Sequence, residues 1–146
     1  MASEMPSCTS QFSNRQAVGP VFDLQLAVDA GVESALRKSN VQVPTPLTAK
    51  ALIDTGASAT VIQQGMASQL GLNPVGITHI HTPSSTNVRC FEYSVRLLIS
   101  SSVTVEATVI EAPLQGQNIQ CLIGRDVLAH GVLVYIGYSN LFSLSF

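Results

Sequence analysis

Apolar and polar residues alternate along most of this chain with the period of two that gives a strand one buried face. Val21 to Val28 (Val-Phe-Asp-Leu-Gln-Leu-Ala-Val) predicts a first strand, and Ala51 to Ile53 a short buried one. Val61-Ile62 resumes β-type sequence after a tight turn. Val88 to Ser100 and Val103 to Ala112 predict paired strands joined by a Ser-rich turn, and Leu133 to Tyr138 with Leu141 to Phe146 a final hairpin around Ser139-Asn140. Two stretches break the alternation. Gly31 to Pro46 carries two prolines and a helical turn at Glu33 to Lys38, and Gln63 to Leu70 has helical composition with Gly71 to end it. Met1 to Gln16 is rich in Ser, Thr, Gln and Asn and predicts a flexible tail.

Composition narrows the class. At 146 residues the chain fits one domain with a real core. Apolar residues are 46% and charged residues only 11%, so some apolar surface is expected to lie against a second copy. A net charge of −2 without a basic stripe argues against nucleic acid. No apolar run reaches the ~20 residues of a membrane helix, so no membrane partner is expected. Cys8, Cys90 and Cys121 are odd in number and lack metal-type spacing, which predicts free thiols in a reducing, cytoplasmic setting.

The chemistry concentrates in Ala51-Leu52-Ile53-Asp54-Thr55-Gly56-Ala57-Ser58-Ala59-Thr60-Val61-Ile62. Here one carboxylate sits on a tight turn between two apolar runs. The tripeptide Asp-Thr-Gly arises by chance in about a few per cent of chains this long, so alone it leaves open an ordinary Asx turn. A second element, Gln120-Cys121-Leu122-Ile123-Gly124-Arg125-Asp126-Val127-Leu128, follows at a distance and in an order that decide the matter. Together the two stretches resemble the active-site signature and the apolar-apolar-Gly-Arg-Asn/Asp element of the retropepsins, the retroviral branch of the aspartic proteases.

That resemblance implies an all-β, closed barrel-like fold with one or two short helices, working as a homodimer. It covers 17–146 as one domain behind the 1–16 tail. Residues 77–88 are expected as the flap hairpin and 132–146 as a dimerisation hairpin. Asp54 is the implied catalytic residue. Thr55 would brace the carboxylates across the dimer axis, Gly56 would let substrate backbone come close, and Ala57 stands where pepsin-like enzymes have a Ser. Gly124, Arg125 and Asp126 would form a structural brace. Gly124 would allow a close strand approach, Asp126 would sit at the start of a short helix, and Gly131 would cap that helix in a left-handed conformation.

Two departures from the family pattern stand out. Ser58 occupies the place of a second Asp that, in the viral enzymes, holds substrate and pairs with the Arg of the second element. Arg125 is therefore expected to pair with Asp126, with a partner carboxylate, or with solvent. The flap tip, with His81, Thr82, Pro83 and Ser84 as candidate substrate contacts, lacks the glycines of the viral enzymes. His79 and His81 share a face if their segment is a strand, but no third ligand is apparent, so no metal and no cofactor are expected.

The implied function is peptide-bond hydrolysis in a peptide or protein substrate, by a water held between two Asp54 carboxylates. The alternative is a protease-like dimerisation or peptide-binding module that cuts nothing. For the protease, Ala57 removes a hydrogen bond to the charged carboxylate that pepsin-like enzymes possess. The pH–rate profile is thus expected to peak in the mildly acidic to near-neutral range. A peak below about pH 3 would refute this inference.

Overall fold

The computed structural model describes residues 5–12, 19–82, 85–114 and 118–146. Among the described residues, ten strands form two sheets. A seven-stranded sheet runs β2 (Val21–Val28), β3 (Leu47–Ile53), β8 (Cys121–Ile123), β4 (Val61–Gln63), β7 (Thr104–Ala112), β6 (Ser85–Leu98) and β5 (Gly76–Thr82). A three-stranded sheet runs β1 (Ser7–Gln11), β10 (Leu141–Ser145) and β9 (Val132–Ile136).

The alternation seen in the sequence sets the buried faces. Phe22, Leu24 and Leu26 of β2 point into the core while Asp23 and Gln25 face out, and Ala49, Ala51 and Ile53 of β3 do the same. β2 serves two neighbours. Its first part, Val21 to Leu26, pairs with β3, and Gln25 to Val28 pairs with β6. This second pairing curls the sheet on itself, so that Leu26, Val28, Val95, Leu97 and Val109 close over a single core. Phe142 and Leu144 of β10 reach the same core, with the Phe142 ring 5.2 Å from that of Phe22. The small sheet is therefore bonded to the large one by packing.

The structure corrects the expected tail. Ser7–Gln11 is a strand, paired antiparallel with β10 from Ser7↔Ser145 to Gln11↔Leu141. Its composition is polar because its outward face meets other small polar residues, as where Thr9 Oγ1 donates to Ser143 Oγ at 3.1 Å. Cys8 faces the opposite way and is half-buried. The driving force is the open hydrogen-bonding edge of β10, which composition does not reveal. Residues 1–4 and 13–16 of the expected tail lie outside the described residues.

Three short α-helices form among the described residues, where one or two were expected: α1 (Ala30–Lys38), α2 (Met66–Gln69) and α3 (Arg125–Leu128). α1 is longer than the predicted turn because Asp29 caps it, accepting the Val32 N–H at 2.8 Å. α2 is shorter than the predicted Gln63 to Leu70, since Gln63 stays in β4. Gly71, at φ +66°, ends α2 as expected, with the Leu72 and Gly71 N–H groups returning to the carbonyls of Ala67 and Ser68. Gly131 does not play that part. Its φ is not left-handed, and it is required instead by close approach: an added Cβ would strike the Ser145 carbonyl and lie 2.8 Å from the Phe146 ring.

α1 buries no residue and is held electrostatically. Glu33 bridges Arg37 at 2.8 Å and Arg96 of β6 at 2.7 Å, and Glu106 of β7 accepts the Ala30 N–H at 2.9 Å. The Val32 N–H holds the Asp29 carboxyl below its ordinary value, and hydrogen bonds from Arg37 and then Arg96 do the same for Glu33. Carboxyls held below their ordinary values stabilise the folded state fully above the unfolded pKa, and that contribution fades as pH falls through the folded values. Acidification below about pH 4 is therefore expected to release α1 before the sheets, and Glu33→Gln to release it at neutral pH. The check is the backbone NMR shifts of 30–38, which should move toward random coil while those of β6 and β7 hold.

Candidate active site

The loop after β3 is built almost entirely by backbone. β3 runs parallel to β8 with Ala51↔Cys121, Leu52↔Leu122 and Ile53↔Ile123 in register. Where β3 ends, the Asp54 N–H donates to the Ile123 carbonyl at 2.9 Å and continues the ladder by one residue. The chain then turns, with the Ala57 N–H donating to the Asp54 carbonyl at 3.2 Å. The Asp54 carboxylate turns back over this loop, and its Oδ1 accepts the Gly56 N–H at 2.9 Å. Asp54 is half-buried, and Thr55, Gly56 and Ser58 around it are exposed. A carboxylate held by a main-chain donor beside an open surface keeps one orientation and stays accessible.

Gly124 locks this loop to the chain after β8. A Cβ at Gly124 would lie 2.5 Å from the Ala59 carbonyl carbon, 2.6 Å from its oxygen and 3.0 Å from the Thr60 nitrogen. Those are backbone atoms and cannot move aside, so only glycine fits. Thr60, fully buried, ties the same crossing with its side chain. Its hydroxyl accepts the Gly124 N–H at 3.0 Å and donates to Asp126 Oδ1 at 2.7 Å, while its N–H donates to Asp126 Oδ2 at 3.0 Å. Asp126 Oδ1 also accepts the Val127 N–H at 2.8 Å. Asp126 lies in the first turn of α3, and its carboxylate is spent on Thr60 and the Val127 N–H.

Arg125 points the other way. Its N–H donates to the Ala57 carbonyl at 2.9 Å and its Nη1 to the Thr55 carbonyl at 2.8 Å, clasping the loop on both sides of Gly56. It makes no ion pair among the described residues, neither with Asp126 nor with another carboxylate. Beneath the site, burial pushes the Cys121 thiol up to about 12, and the Asp126 charge adds to the effect.

β5 and β6 form the hairpin predicted for 77–88, paired from Gly76↔Glu92 to Ile80↔Val88 with an irregularity before Thr82↔Ser85. Ile80 and Val88 pack with Cys90, Ile110 and Ala112 and with Ala59 and Val61 of the active-site loop and β4. His79 and His81 are exposed, and the His81 ring nitrogen Nδ1 accepts the Asn87 N–H at 3.4 Å. Thr82 ends β5, whereas Pro83 and Ser84 lie outside the described residues.

The structure thus brings Asp54, Thr55, Gly56, Ala57, Ser58, Gly124, Arg125 and Asp126 into one unit, and no hydrogen bond among the described residues joins His81 to it. Sequence reasoning missed Thr60. Its signal was a hydroxyl amid the apolar run Ala59-Thr60-Val61-Ile62, at a position the alternation buries. The apolar residues Ala59, Val61, Ile80, Val88 and Ile110 were also missed, because they meet only through the fold of the hairpin.

With this geometry in place, comparison with known proteins identifies the chain. It belongs to the family described as "gag-polyprotein putative aspartyl protease", which matches residues 39–130. Among solved structures it is similar to a retropepsin-like aspartic protease from Rickettsia conorii, with a TM-score of 0.59 and 17% identity over 100% of this chain and 95% of that one. It is also similar to the retroviral protease-like domain of Ddi1 from Leishmania major, with a TM-score of 0.47 and 13% identity over 85% and 87% of the two chains. No curated protein matches its sequence. On the Rickettsia conorii match, the fold is retropepsin-like and mostly β.

The lock around Gly124 can be tested on stability alone. Gly124→Ala should cost about 1–3 kcal/mol or more from backbone overpacking. Thr60→Val, which keeps the shape but strands the Gly124 N–H and removes one of the two donors to Asp126 Oδ1, should cost about 1–3 kcal/mol. Urea unfolding of both variants against the parent is the measurement. Neutral effects would show that the crossing is not under the constraint described.

Proposed function

We propose that this protein is an aspartic endopeptidase whose active site forms when two copies place their Asp54 residues together on a two-fold axis. The observation that carries the reading is the Asp54 loop, which Arg125 clasps through the Thr55 and Ala57 carbonyls and in which the Gly56 N–H orients one accessible carboxylate. One chain supplies one such group. An isologous contact brings a residue against its own copy, which yields the second carboxylate without a second motif.

Two carboxylates at that spacing share one proton, because both cannot ionise comfortably. This behaviour is well known from pepsin and the HIV protease and is taken over here as a general rule. The ionised Asp54 takes a proton from water as it attacks the peptide carbonyl, and the protonated Asp54 hydrogen-bonds that carbonyl and then helps protonate the leaving amine. Thr55, exposed beside Asp54, braces the opposite loop through its hydroxyl. Ala57 keeps the loop small, and the open backbone at Gly56 receives substrate main chain. The hairpin of β5 and β6 acts as the flap, with His81 and Thr82 at the end of β5. Its inner residues Ile80 and Val88, with Ala59 and Val61, form an apolar wall that favours apolar side chains near the cleaved bond.

The C-terminal hairpin of β9 and β10 is the proposed interface. Val132, Val134, Tyr135 and Tyr138 are exposed there, Tyr138 at 89%. Removing β10 is not a clean test of dimerisation, because Phe142 and Leu144 belong to the core. Val132→Glu with Val134→Glu leaves the core alone and puts four like charges across a self-complementary contact. The double variant should sediment as a folded monomer and lose activity. A folded, dimeric and active double variant would remove the hairpin from the interface.

A second reading, a dimerisation or peptide-binding module that cuts nothing, draws on Ser58, which lacks the acidic group of the viral enzymes. Asp54→Asn separates the two. On a diverse peptide pool the parent should cut and the variant should fall by about 10²–10⁴-fold, with its far-UV spectrum unchanged. A pool left intact by the parent would favour the binding module.

A further inference from the structure

Resting on the reading of the chain as a peptidase, the geometry points to Arg125 as a specificity determinant: its guanidinium receives an acidic side chain of the substrate, a few residues from the scissile bond. Four observations lead there. Arg125 is exposed and clasps the Asp54 loop through carbonyls, so it stands at the site without being neutralised by it. A carbonyl takes one of its five donors, leaving charge and a fork of N–H groups for a carboxylate. The adjacent Asp126 turns inward, with its oxygens committed to the Thr60 N–H and hydroxyl and the Val127 N–H. The residue next to the clasped carbonyls is Ser58, exposed and uncharged, so the loop offers no acid of its own besides Asp54.

Asp54 does not discharge it either. One Asp54 oxygen already accepts the Gly56 N–H, and no ion pair joins it to Arg125. An exposed guanidinium bordering a peptide-binding surface favours substrates that bring the opposite charge and disfavours those that bring a like one. An extended peptide advances about 3.3 Å per residue, so the carboxylate belongs about two to four residues from the bond being cut. Because the dimer has two-fold symmetry, the preference applies on both sides of that bond.

The experiment is a competition between matched peptides, identical except for Glu or Gln at positions two to four residues on either side of an apolar-apolar bond. It is run on the full chain and read as the ratio of kcat/KM values. The parent should favour the Glu peptide by about two- to fivefold, as expected for an exposed ion pair, and lose most of that preference in 1 M salt. Ser58→Asp, which supplies the carboxylate within the loop, should bring the ratio to about one or below. Arg125→Met should abolish the preference, and Arg125→Lys should keep part of it. A role limited to clasping the loop would lower the rate for both peptides and leave the ratio where it was.

The outcomes separate cleanly. Cleavage with no charge preference, or with a preference that Ser58→Asp leaves untouched, overturns this inference and leaves the peptidase intact. The same holds if Arg125 instead serves a carboxylate of the second copy, which would appear as a salt-dependent dimer with an unchanged peptide ratio. Absence of any cleavage by the parent overturns the peptidase reading and this inference with it.

Discussion

Everything at the site depends on a crossing of main chain, where Gly124 lies against the Ala59 carbonyl and the Thr60 N–H with no room for a side chain. Two segments 64 residues apart are fused there into one rigid body. The crossing is held from inside by Thr60 and Asp126 and from outside by Arg125. A partly buried carboxylate is costly unless its oxygens are satisfied, and Asp126 meets that condition with three donors. The adjacent Asp54 needs less support, because its loop inherits its position from the crossing and from the ladder between β3 and β8.

Much of this was legible in the sequence, for a physical reason. Strands with one buried face must alternate, so Val21–Val28 reads to its last residue. A candidate site must carry its chemistry in a short stretch, so Asp54 to Ser58 and Gly124 to Asp126 stand out. The failures share a cause as well. Ser7–Gln11 became a strand because β10 offered a hydrogen-bonding edge, a property of the partner strand. Gly131 serves close packing against Ser145, which no local turn rule reports. Arg125 was expected to pair with Asp126, a partner carboxylate or solvent, but its side chain donates to the backbone carbonyl of Thr55, and carbonyls leave no trace in a sequence. Side chains announce themselves in sequence; backbone partners do not.

The two sheets divide the work. The seven-stranded sheet carries the carboxylate, the locking glycine and the hairpin, and its core closes within one chain through the second pairing of β2. The three-stranded sheet contributes Phe142 and Leu144 to that core and turns outward Ser7, Thr9, Ser143 and Ser145 together with Val132 and Val134. A surface of small polar residues and two valines can be solvated in the single chain, and in the proposed dimer it would be less apolar than an obligate interface.

That balance bears on how the proposed half-site peptidase would be governed. Because the Asp54 loop is braced by Arg125, Thr60 and Gly124 of its own chain, a single copy holds its carboxylate ready before any partner arrives. In the proposed dimer, pairing supplies only the second carboxylate and the closed cleft, and its equilibrium depends on concentration. A weak interface combined with a prebuilt half-site would then make activity rise with the square of concentration while the chains are mostly single. Folding and the proposed activity are thereby separated: the first is secured by contacts within one chain, the second would wait on the encounter of two.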